Sequence, residues 1–502
     1  MILIPELDTI YVPNERDYTY MLFNSISYIF CFLPITVLVY FILLKKHLVF
    51  ASKIWLVIAS IAFYSWWDPK YTTLLLASML VNFAFGTSFS SKIFEDSKNR
   101  KILLIVSVCF NLIVLGYFKY MNFFIDNVNW LLHSHIEISK IILPLGISFF
   151  TFTQIAYLVD AYKKEAKEYD FLSYMLFVTF FPHLIAGPIL HHKEMMPQFN
   201  ELKRKVLRYK NIILGLFLFT IGFFKKVYLA DNFASYASSG FNSEAELSML
   251  HGIISMLSYT FQIYFDFSGY TDMALGSAKM LNIDLPVNFN SPYKAISIQD
   301  FWRRWHITLS RFLRDYIYIP LGGNRKGEIR TYTNILITML GGGIWHGANW
   351  TFVVWGALHG IAQCIHKLYL NTKIQIPKFL AVLITFTFIN FSWVVFRAEN
   401  FDIAMKIYKA VFNVHNFVIP KIHNLNLFFE SKDIVFENFL IIFPLGFILV
   451  FCCPNSQEII SKIKIKNNLT AVIFAVIFAV IFIFCLEQQL VTKYTEFIYF
   501  NF

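Results

Sequence analysis

The sequence has few charged residues for its length. Charged side chains make up 15% of the 502 residues, whereas 57% of the residues are hydrophobic and 19% are aromatic. Soluble globular domains carry about 25% charged residues, so this composition excludes an ordinary soluble domain. We predict an all-α, polytopic integral membrane protein that is surrounded by membrane lipid.

Cysteines are also few, and a secretory signal pattern is missing. The six cysteines, which lie in or beside apolar segments and share no ligand spacing with nearby histidines, are Cys31, Cys109, Cys364, Cys452, Cys453 and Cys485. They are predicted to be buried free thiols, and no metal site is expected. Residues 1–20 have no basic stretch followed by a short apolar run, so we expect no cleaved signal peptide. The first span, 24–44, is expected to stay as an anchor.

The net charge of +11 comes from short basic stretches between apolar runs. Examples are 92–101, 193–210 and the pair Lys225 and Lys226. Cytoplasmic loops of membrane proteins are enriched in lysine and arginine, so topology accounts for the basicity. We predict no nucleic-acid partner.

Apolar segments recur along the whole chain, and no repeat or low-complexity linker divides them, so we interpret 1–502 as one domain. The segments are 24–44, 48–66, 71–90, 102–121, 141–160, 170–190, 211–229, 246–268, 334–358, 376–397, 437–453 and 469–486. If both 141–160 and 170–190 crossed fully, neighbouring basic stretches would lie on opposite faces of the membrane. We therefore expect one of the two to be broken or re-entrant, which is tolerated where backbone lines an internal chamber. The candidate breaking residues are Pro144, Gly146, Pro182, Gly187 and Pro188.

The stretch 275–333 has no spanning signal and is predicted to face the cytoplasm. Within it, 297–316 is predicted to form one amphipathic helix with Ser297 as its N-cap. Its apolar face would carry Trp302, Trp305, Leu309 and Phe312, and its polar face Arg304, Thr308, Arg311 and Asp315. His306 falls beside the apolar face and is predicted to point into the protein or the membrane boundary.

His346 is an ionisable residue within the apolar run 334–358, which is long enough to cross a bilayer. A neutral imidazole in a partly dry cavity can take a proton from an attacking hydroxyl, so His346 is a candidate general base. The glycines 341–343 and Gly347 would allow backbone to approach a substrate. Alternatively, His346 is a packing residue and the glycines serve close contact between helices.

His306 is a second candidate, although it could also be an interfacial histidine. A set of arginines could bind the phosphates of a cytoplasmic substrate, or could attract anionic lipid head groups. These are Arg303, Arg304, Arg311, Arg314, Arg325 and Arg330. Asp266 and Asp272 are interpreted as hydrogen-bonding groups that orient the chamber, with a proton path or a metal site as the alternatives.

Four motifs resemble those of a known family. FDFSGYTDMA (265–274), NFNSPY (288–293), FWRRWHITLS (301–310) and IWHGANW (344–350) are similar, in sequence and order, to motifs of membrane-bound O-acyltransferases of the alginate and peptidoglycan O-acetylation type. The resemblance implies a ring of about eleven to twelve membrane helices, with re-entrant segments, around a central tunnel.

The resemblance also implies roles for individual residues. His346 corresponds to the catalytic histidine and His306 to a second functional position. Acetyl groups would pass from cytoplasmic acetyl-CoA, a substrate rather than a bound cofactor, through the tunnel to the outer face of a bacterial inner membrane. A periplasmic esterase-like partner would then place them on an alginate-like exopolymer or on peptidoglycan.

Residues 497–502 resemble the aromatic ending found in this group. We hypothesise that Tyr499 relays the acyl group as an ester, with His346 as base; the alternative is an interfacial aromatic anchor. Other functions stay open at this point. They are a D-alanyl transferase fed by an acylated carrier protein, an acyltransferase for lipid or protein, and a proton-coupled transporter, although no two related halves are visible.

Overall fold

A computed structural model describes residues 21–91, 97–165, 170–372, 374–418, 436–463, 468–491 and 497–501. These residues form helices and connecting segments, with no β-strand among them, which confirms the predicted all-α class. Residues 1–20, on which the signal-peptide expectation depends, lie outside the described residues. Phe502 of the terminal motif and part of the basic stretch 92–101 also lie outside them.

The helices are numbered in chain order. The first ten are α1 (Leu33–Lys45), α2 (Val49–Ser65), α3 (Pro69–Ser88), α4 (Ser97–Leu132), α5 (Ile147–Tyr162), α6 (Phe171–Thr179), α7 (Phe181–Leu184), α8 (His192–Asn200), α9 (Tyr209–Phe224) and α10 (Asp231–Phe241). The others are α11 (Met249–Met280), α12 (Ile298–Trp302), α13 (Ile307–Leu313), α14 (Glu328–His346), α15 (Trp350–Leu370), α16 (Lys378–Arg397), α17 (Phe401–Phe412), α18 (Phe436–Phe447), α19 (Ser456–Lys462) and α20 (Asn468–Val491).

Several helices are long and apolar enough to cross a bilayer. Within the described ranges, six satisfy both conditions: 28–45, 69–88, 98–132, 209–241, 378–397 and 472–490. A seventh is present if the pair 439–452 and 456–462, bent by 63°, forms one span. The chain is therefore a multi-pass membrane protein. The expected eleven to twelve membrane helices and the central tunnel stay predictions.

Segments 141–160 and 170–190 were not expected both to cross the membrane fully, and 170–190 is the broken one. The nine-residue helix α6 extends only about 13.5 Å at 1.5 Å per residue, too short to cross the hydrocarbon core. After α7, residues 185–191 have no regular structure and are all buried. Helix α5, in contrast, is continuous from Gly146, whose φ of +70° lies in the left-handed region. Irregular backbone thus lies inside the protein, as expected.

Helices α9 and α11 cross in close contact. Gly222 faces Gly269, and a Cβ atom on either residue would lie 2.5 or 2.7 Å from the carbonyl oxygen of the other. Gly215 and Gly276 face each other in the same way, with both distances at 2.7 Å. Small residues at such contacts allow two helix backbones to touch. Helix α11 is consequently held in the interior, and it carries the FDFSGYTDMA motif there.

The predicted helix 297–316 is interrupted, so that prediction was wrong. Ser297 does cap α12, and its side chain accepts a hydrogen bond from the Asp300 N–H, but the helix ends at Trp302. Helix α13 starts after His306, which has a φ of +41°. The Asn288 carbonyl oxygen accepts from Ile307 N–H, and its side-chain oxygen accepts from Thr308 N–H, so a distant residue starts the second helix. Thr308 is buried rather than on a polar face.

The apolar run 334–358 is also not one continuous span. Helix α14 ends at His346, Gly347 is extended, and the Asn349 side chain caps α15 by accepting from Thr351 N–H. His346 therefore lies at a helix end, not in the middle of a span.

The expectation for the cysteines was partly wrong. All six thiols are free, but Cys31, Cys109 and Cys452 are exposed and only Cys485 is buried. The outer faces of membrane helices are apolar and meet lipid, so an apolar segment does not by itself imply burial within the protein.

Candidate active site

The residues predicted to be catalytic lie together. The ring centroids of His346 and Tyr499 are 5.8 Å apart, and those of His306 and Tyr499 are 6.3 Å apart. Exposure of the three residues is 3%, 7% and 0% for His346, Tyr499 and His306. Three separate elements thus form one buried group, which we call the histidine–tyrosine cluster.

His346 is surrounded by aromatic rings. The centroids of Trp345, Trp355 and Phe396 lie 5.0, 5.0 and 5.1 Å from its own. Its Nδ1 atom has no hydrogen-bond partner among the described residues. Buried polar atoms are normally paired, so an open imidazole nitrogen suits a proton acceptor awaiting substrate.

The glycines near His346 serve helix contact. A Cβ atom on Gly343 would lie 2.4 Å from the carbonyl oxygen of Phe352, and one on Gly347 would overlap the Phe352 ring. These positions allow α14 to pack closely on α15. The packing interpretation therefore holds for these two glycines, whereas the nitrogen of His346 itself is left open.

Helix α4 holds the end of α14 that carries His346. The Lys119 ammonium donates to the carbonyl oxygen of Trp345 at 2.5 Å, and the Tyr120 hydroxyl donates to that of Ile344 at 2.6 Å. The last carbonyls of a helix have no partner within the helix, so both donors act as a C-terminal cap. Sequence reasoning missed Lys119, although a lysine inside the apolar segment 102–121 was a usable signal.

His306 is fixed by the NFNSPY motif. Its Nδ1 atom lies 3.2 Å from the side-chain oxygen of Asn288, and its Nε2 atom has no partner within the described part of the chain. Its ring meets that of Phe267 edge-on at 4.8 Å. A left-handed backbone at a non-glycine residue costs about 1–2 kcal/mol, and such strain concentrates at functional sites.

The terminal motif packs on α11. Tyr499 lies 4.3 Å from the Phe267 ring and Phe497 stacks on Tyr270 at 4.2 Å, both measured between centroids. The backbone N–H of Ile498 donates to Asp266 at 2.8 Å. An interfacial anchor would meet lipid head groups, and the burial of Tyr499 inside the protein does not fit that alternative.

Asp266 and Asp272 bind separate lysines. Lys226 lies 3.0 Å from Asp266, and Lys225 lies 2.7 Å from Asp272. Lys226 is only 2% exposed, so its assignment to a basic cytoplasmic loop was wrong. The two aspartates thus hold neighbouring elements against α11.

Two cavities approach the histidine–tyrosine cluster at different levels. The first, about 480 Å³, is lined by arginines together with Trp302 and Met339. The second, about 660 Å³, is lined by Trp67, residues 140–149, Ile185, Tyr499 and Phe500. Met339 precedes His346 by seven residues, roughly 10 Å along α14. We call the first cavity the arginine cavity and the second the tyrosine cavity.

A layer of rings separates the arginine cavity from His346. Trp302 lies 5.8 Å from Trp355, which lies 5.0 Å from His346, again between centroids. His346 is not among the described lining residues of either cavity. We call Trp302 and Trp355 the ring wall.

Three of the six arginines predicted to bind phosphates, Arg303, Arg311 and Arg314, line the arginine cavity, whereas Arg325 and Arg330 are not among its described lining residues. Arg304 does not line it either, and pairs with Asp300 at 2.9 Å. Arg311 forms two hydrogen bonds to Glu194, at 2.7 and 2.9 Å, and Arg314 pairs with Asp315. Arg303 is exposed, and its guanidinium has no hydrogen-bond or ion-pair partner in the described ranges, so it is available for an anion.

The chain is similar to known proteins over most of its length. The profile of the membrane-bound O-acyltransferase family matches residues 61–400. The chain is 49% identical over 424 residues to a peptidoglycan O-acetyltransferase of Helicobacter pylori, covering 78% of this chain and 80% of that protein. It is 38% identical over 413 residues to a probable alginate O-acetylase of Pseudomonas aeruginosa, covering 81% and 78%. A teichoic acid D-alanyltransferase of Bacillus subtilis is 29% identical over 274 residues, covering 51% and 69%.

Proposed function

Because this chain belongs to the membrane-bound O-acyltransferase family and is an acyltransferase, we propose that it carries acetyl groups across a bacterial inner membrane for O-acetylation of a polysaccharide. The observation that carries the proposal is the meeting of His346, His306 and Tyr499 in one buried cluster beside the tyrosine cavity. A base and a hydroxyl in a water-poor site are the groups that acyl transfer needs.

The proposed chemistry has two steps. The Tyr499 hydroxyl oxygen attacks the thioester carbonyl carbon; its proton passes to His346, the carbon–sulfur bond breaks, and the leaving thiolate takes up that proton. In the second step an acceptor hydroxyl attacks the tyrosyl ester, and its proton returns to the Tyr499 oxygen as the ester bond breaks. The open Nδ1 of His346 supports the base role. His306 is the second proposed functional residue.

The proposed donor is acetyl-CoA, used as a substrate from the cytoplasm. The arginine cavity supports this assignment because guanidinium groups form forked hydrogen bonds with phosphates. Arg303 would make the first contact, and the guanidinium groups of Arg311 and Arg314 would divide their N–H donors between their carboxylate partners and the incoming phosphates. The ring wall must open for the thioester to reach the cluster.

The proposed acceptor is peptidoglycan or an alginate-like exopolymer, reached through a periplasmic esterase-like partner. The relatives from H. pylori and P. aeruginosa support this choice, since each aligns over most of its length. A D-alanyl transferase fed by a carrier protein is the second candidate, supported by the B. subtilis relative. Because the chain belongs to an acyltransferase family, we no longer propose a proton-coupled transporter.

The deciding experiment uses purified protein and radiolabelled acetyl-CoA. We expect wild-type protein to cleave the donor, and an acylated carrier protein to be ignored. His346→Ala should lower the rate of acetyl transfer from acetyl-CoA by about 10²–10⁴-fold, the range for loss of a general base. The matched control is His133→Ala, since His133 is exposed at the end of α4 and should leave transfer unchanged. Full activity of His346→Ala would refute the base role.

Tyr499→Phe tests the relay separately. We expect normal folding but loss of both donor cleavage and transfer to the polymer, because no hydroxyl is left to attack the thioester and form the ester. Wild-type acetylation of the polymer by this variant would exclude the relay.

A further inference from the structure

We propose that Asp266 is a positioning residue that fixes the terminal segment 497–501, and with it Tyr499, beside the two histidines. The role goes beyond the reaction itself and rests on the proposed function only for its effect on transfer. The position of the terminal segment can be measured whether or not the proposed function is correct.

One carboxylate joins two different elements. Its Oδ2 atom accepts from the backbone N–H of Ile498 at 2.8 Å, and its Oδ1 atom lies 3.0 Å from the Lys226 ammonium. Asp266 is 2% exposed. A hydrogen bond to an ionised acceptor is roughly twice as strong as a neutral one, and burial excludes competing water. The terminal segment is therefore held through its main chain, immediately beside Tyr499.

The need to neutralise Lys226 does not by itself explain why a second buried carboxylate, Asp266, is present. Asp231 lies 2.7 Å from the same ammonium, with exposures of 2% for the lysine and 8% for Asp231. A second buried carboxylate on one lysine adds a charge that costs free energy unless further donors satisfy it. The N–H of Ile498 is such a donor, so the geometry ties the extra charge to the terminal segment.

The ring contacts on either side of Asp266 need this main-chain contact. Phe267 packs against Tyr499, and Tyr270 stacks on Phe497. Flat aromatic contacts tolerate sliding, whereas a hydrogen bond to one particular N–H fixes the register. A slip by one residue would place Ile498 or Phe500 where the Tyr499 hydroxyl must stand.

The test measures the position of the segment by cysteine labelling. Phe500 lines the tyrosine cavity, so Phe500→Cys reports its accessibility, and peptide mass spectrometry follows the rate of maleimide addition to that residue. In this background we expect Asp266→Ala to raise the labelling rate by about tenfold, as local opening becomes easier. Asp266→Asn keeps an oxygen that can accept from Ile498 N–H and should stay close to the parent rate.

Two further variants separate positioning from general destabilisation. Asp231→Asn removes the charge of the other carboxylate beside Lys226 and leaves both Asp266 and Ile498 in place, so we expect the parent labelling rate. Ile498→Pro removes the donor while leaving every buried charge in place, and should reproduce the effect of Asp266→Ala. Proline is tolerated at the first position of a helical turn, so the variant is expected to fold.

Transfer is measured in the same variants without the cysteine. We expect Asp266→Ala to lower kcat with little change in KM for the donor, because the arginine cavity is not involved. Parental labelling rates in both Asp266→Ala and Ile498→Pro would overturn the proposal, as would an equal rise in Asp231→Asn. Faster labelling with unchanged transfer would uphold the positioning and refute Tyr499 as relay.

Discussion

The end of α14 determines where the candidate base stands. His346 is the last residue of its helix, so its direction depends on how firmly the final turn is held. Lys119 and Tyr120 supply that support from α4 by donating to two consecutive carbonyls. A buried carbonyl left without a donor costs about 1–3 kcal/mol, enough to loosen a final helical turn.

Lys119→Met should therefore lower transfer by about tenfold, since 1.4 kcal/mol corresponds to that factor. Lys119→Gln keeps a donor and should recover most of the rate. Tyr120→Phe removes the other cap hydrogen bond, to Ile344, and should lower transfer less, because Trp345, the residue next to His346, keeps its donor. Initial rates are compared at equal amounts of folded protein. A wild-type rate in Lys119→Met would show that the cap does not position His346.

The site residues could be predicted from sequence to a limited extent. His306, His346 and Tyr499 stand in recognisable motifs, and the structure brings them together. Lys119 and Asp266 act through contacts with residues more than 220 positions away, Trp345 and Ile498. No local pattern encodes such a contact, because it depends on which helices become neighbours.

At the scale of the helices, the α9–α11 crossing depends on facing glycines. Gly222→Ala should lower the free energy of unfolding by about 1–3 kcal/mol, the usual cost of overpacking, because the added methyl group would meet backbone. Gly116→Ala is the control: nothing lies within 4 Å of its Cβ position, and alanine favours the helix. Thermal unfolding in detergent gives both values. Equal stability of the two variants would contradict this account of the crossing.

Two interrupted helices show what periodicity does not reveal. The pattern over 297–316 predicted one helix, but Asn288 satisfies the first N–H groups of α13 from another part of the chain. Hydropathy over 334–358 predicted one span, whereas Gly347 is extended and Asn349 begins a new helix. The second break had a local signal, asparagine as N-cap, and the first had none.

For the whole molecule, the distribution of charge predicts orientation. Arg325 lies in the basic region near the arginine cavity, and Lys140 lines the tyrosine cavity; both side chains are exposed. The positive-inside rule places the basic region around Arg325 in the cytoplasm, and it places outside the stretch 133–140, whose single lysine or arginine is Lys140. Lys140→Cys should react with a membrane-impermeant maleimide in intact cells, and Arg325→Cys only after permeabilisation. The parent chain corrects for its native thiols, and the reverse pattern would refute this topology.

Composition was enough to predict a helical membrane protein, but not its number of spans. Only 6% of the hydrophobic stretch of helix α20 is buried inside the protein, and this helix is easily recognised as a span. Helix α11 carries Asp266 and Asp272 in the interior, and it is not among the helices that are long and apolar enough to be recognised as spans. Hydropathy identifies helices that face lipid, and it underestimates those that surround a polar centre.

The ring wall has a consequence for the cell's energy supply. A permanently open, water-filled passage would let protons and sodium ions run down their electrochemical gradients. Trp302 and Trp355, packed edge to face between the arginine cavity and the cluster, would act instead as an insulator, because an ion would have to lose its hydration shell to pass between packed aromatic rings. The proposed export of a small neutral acetyl group would then proceed without short-circuiting the membrane.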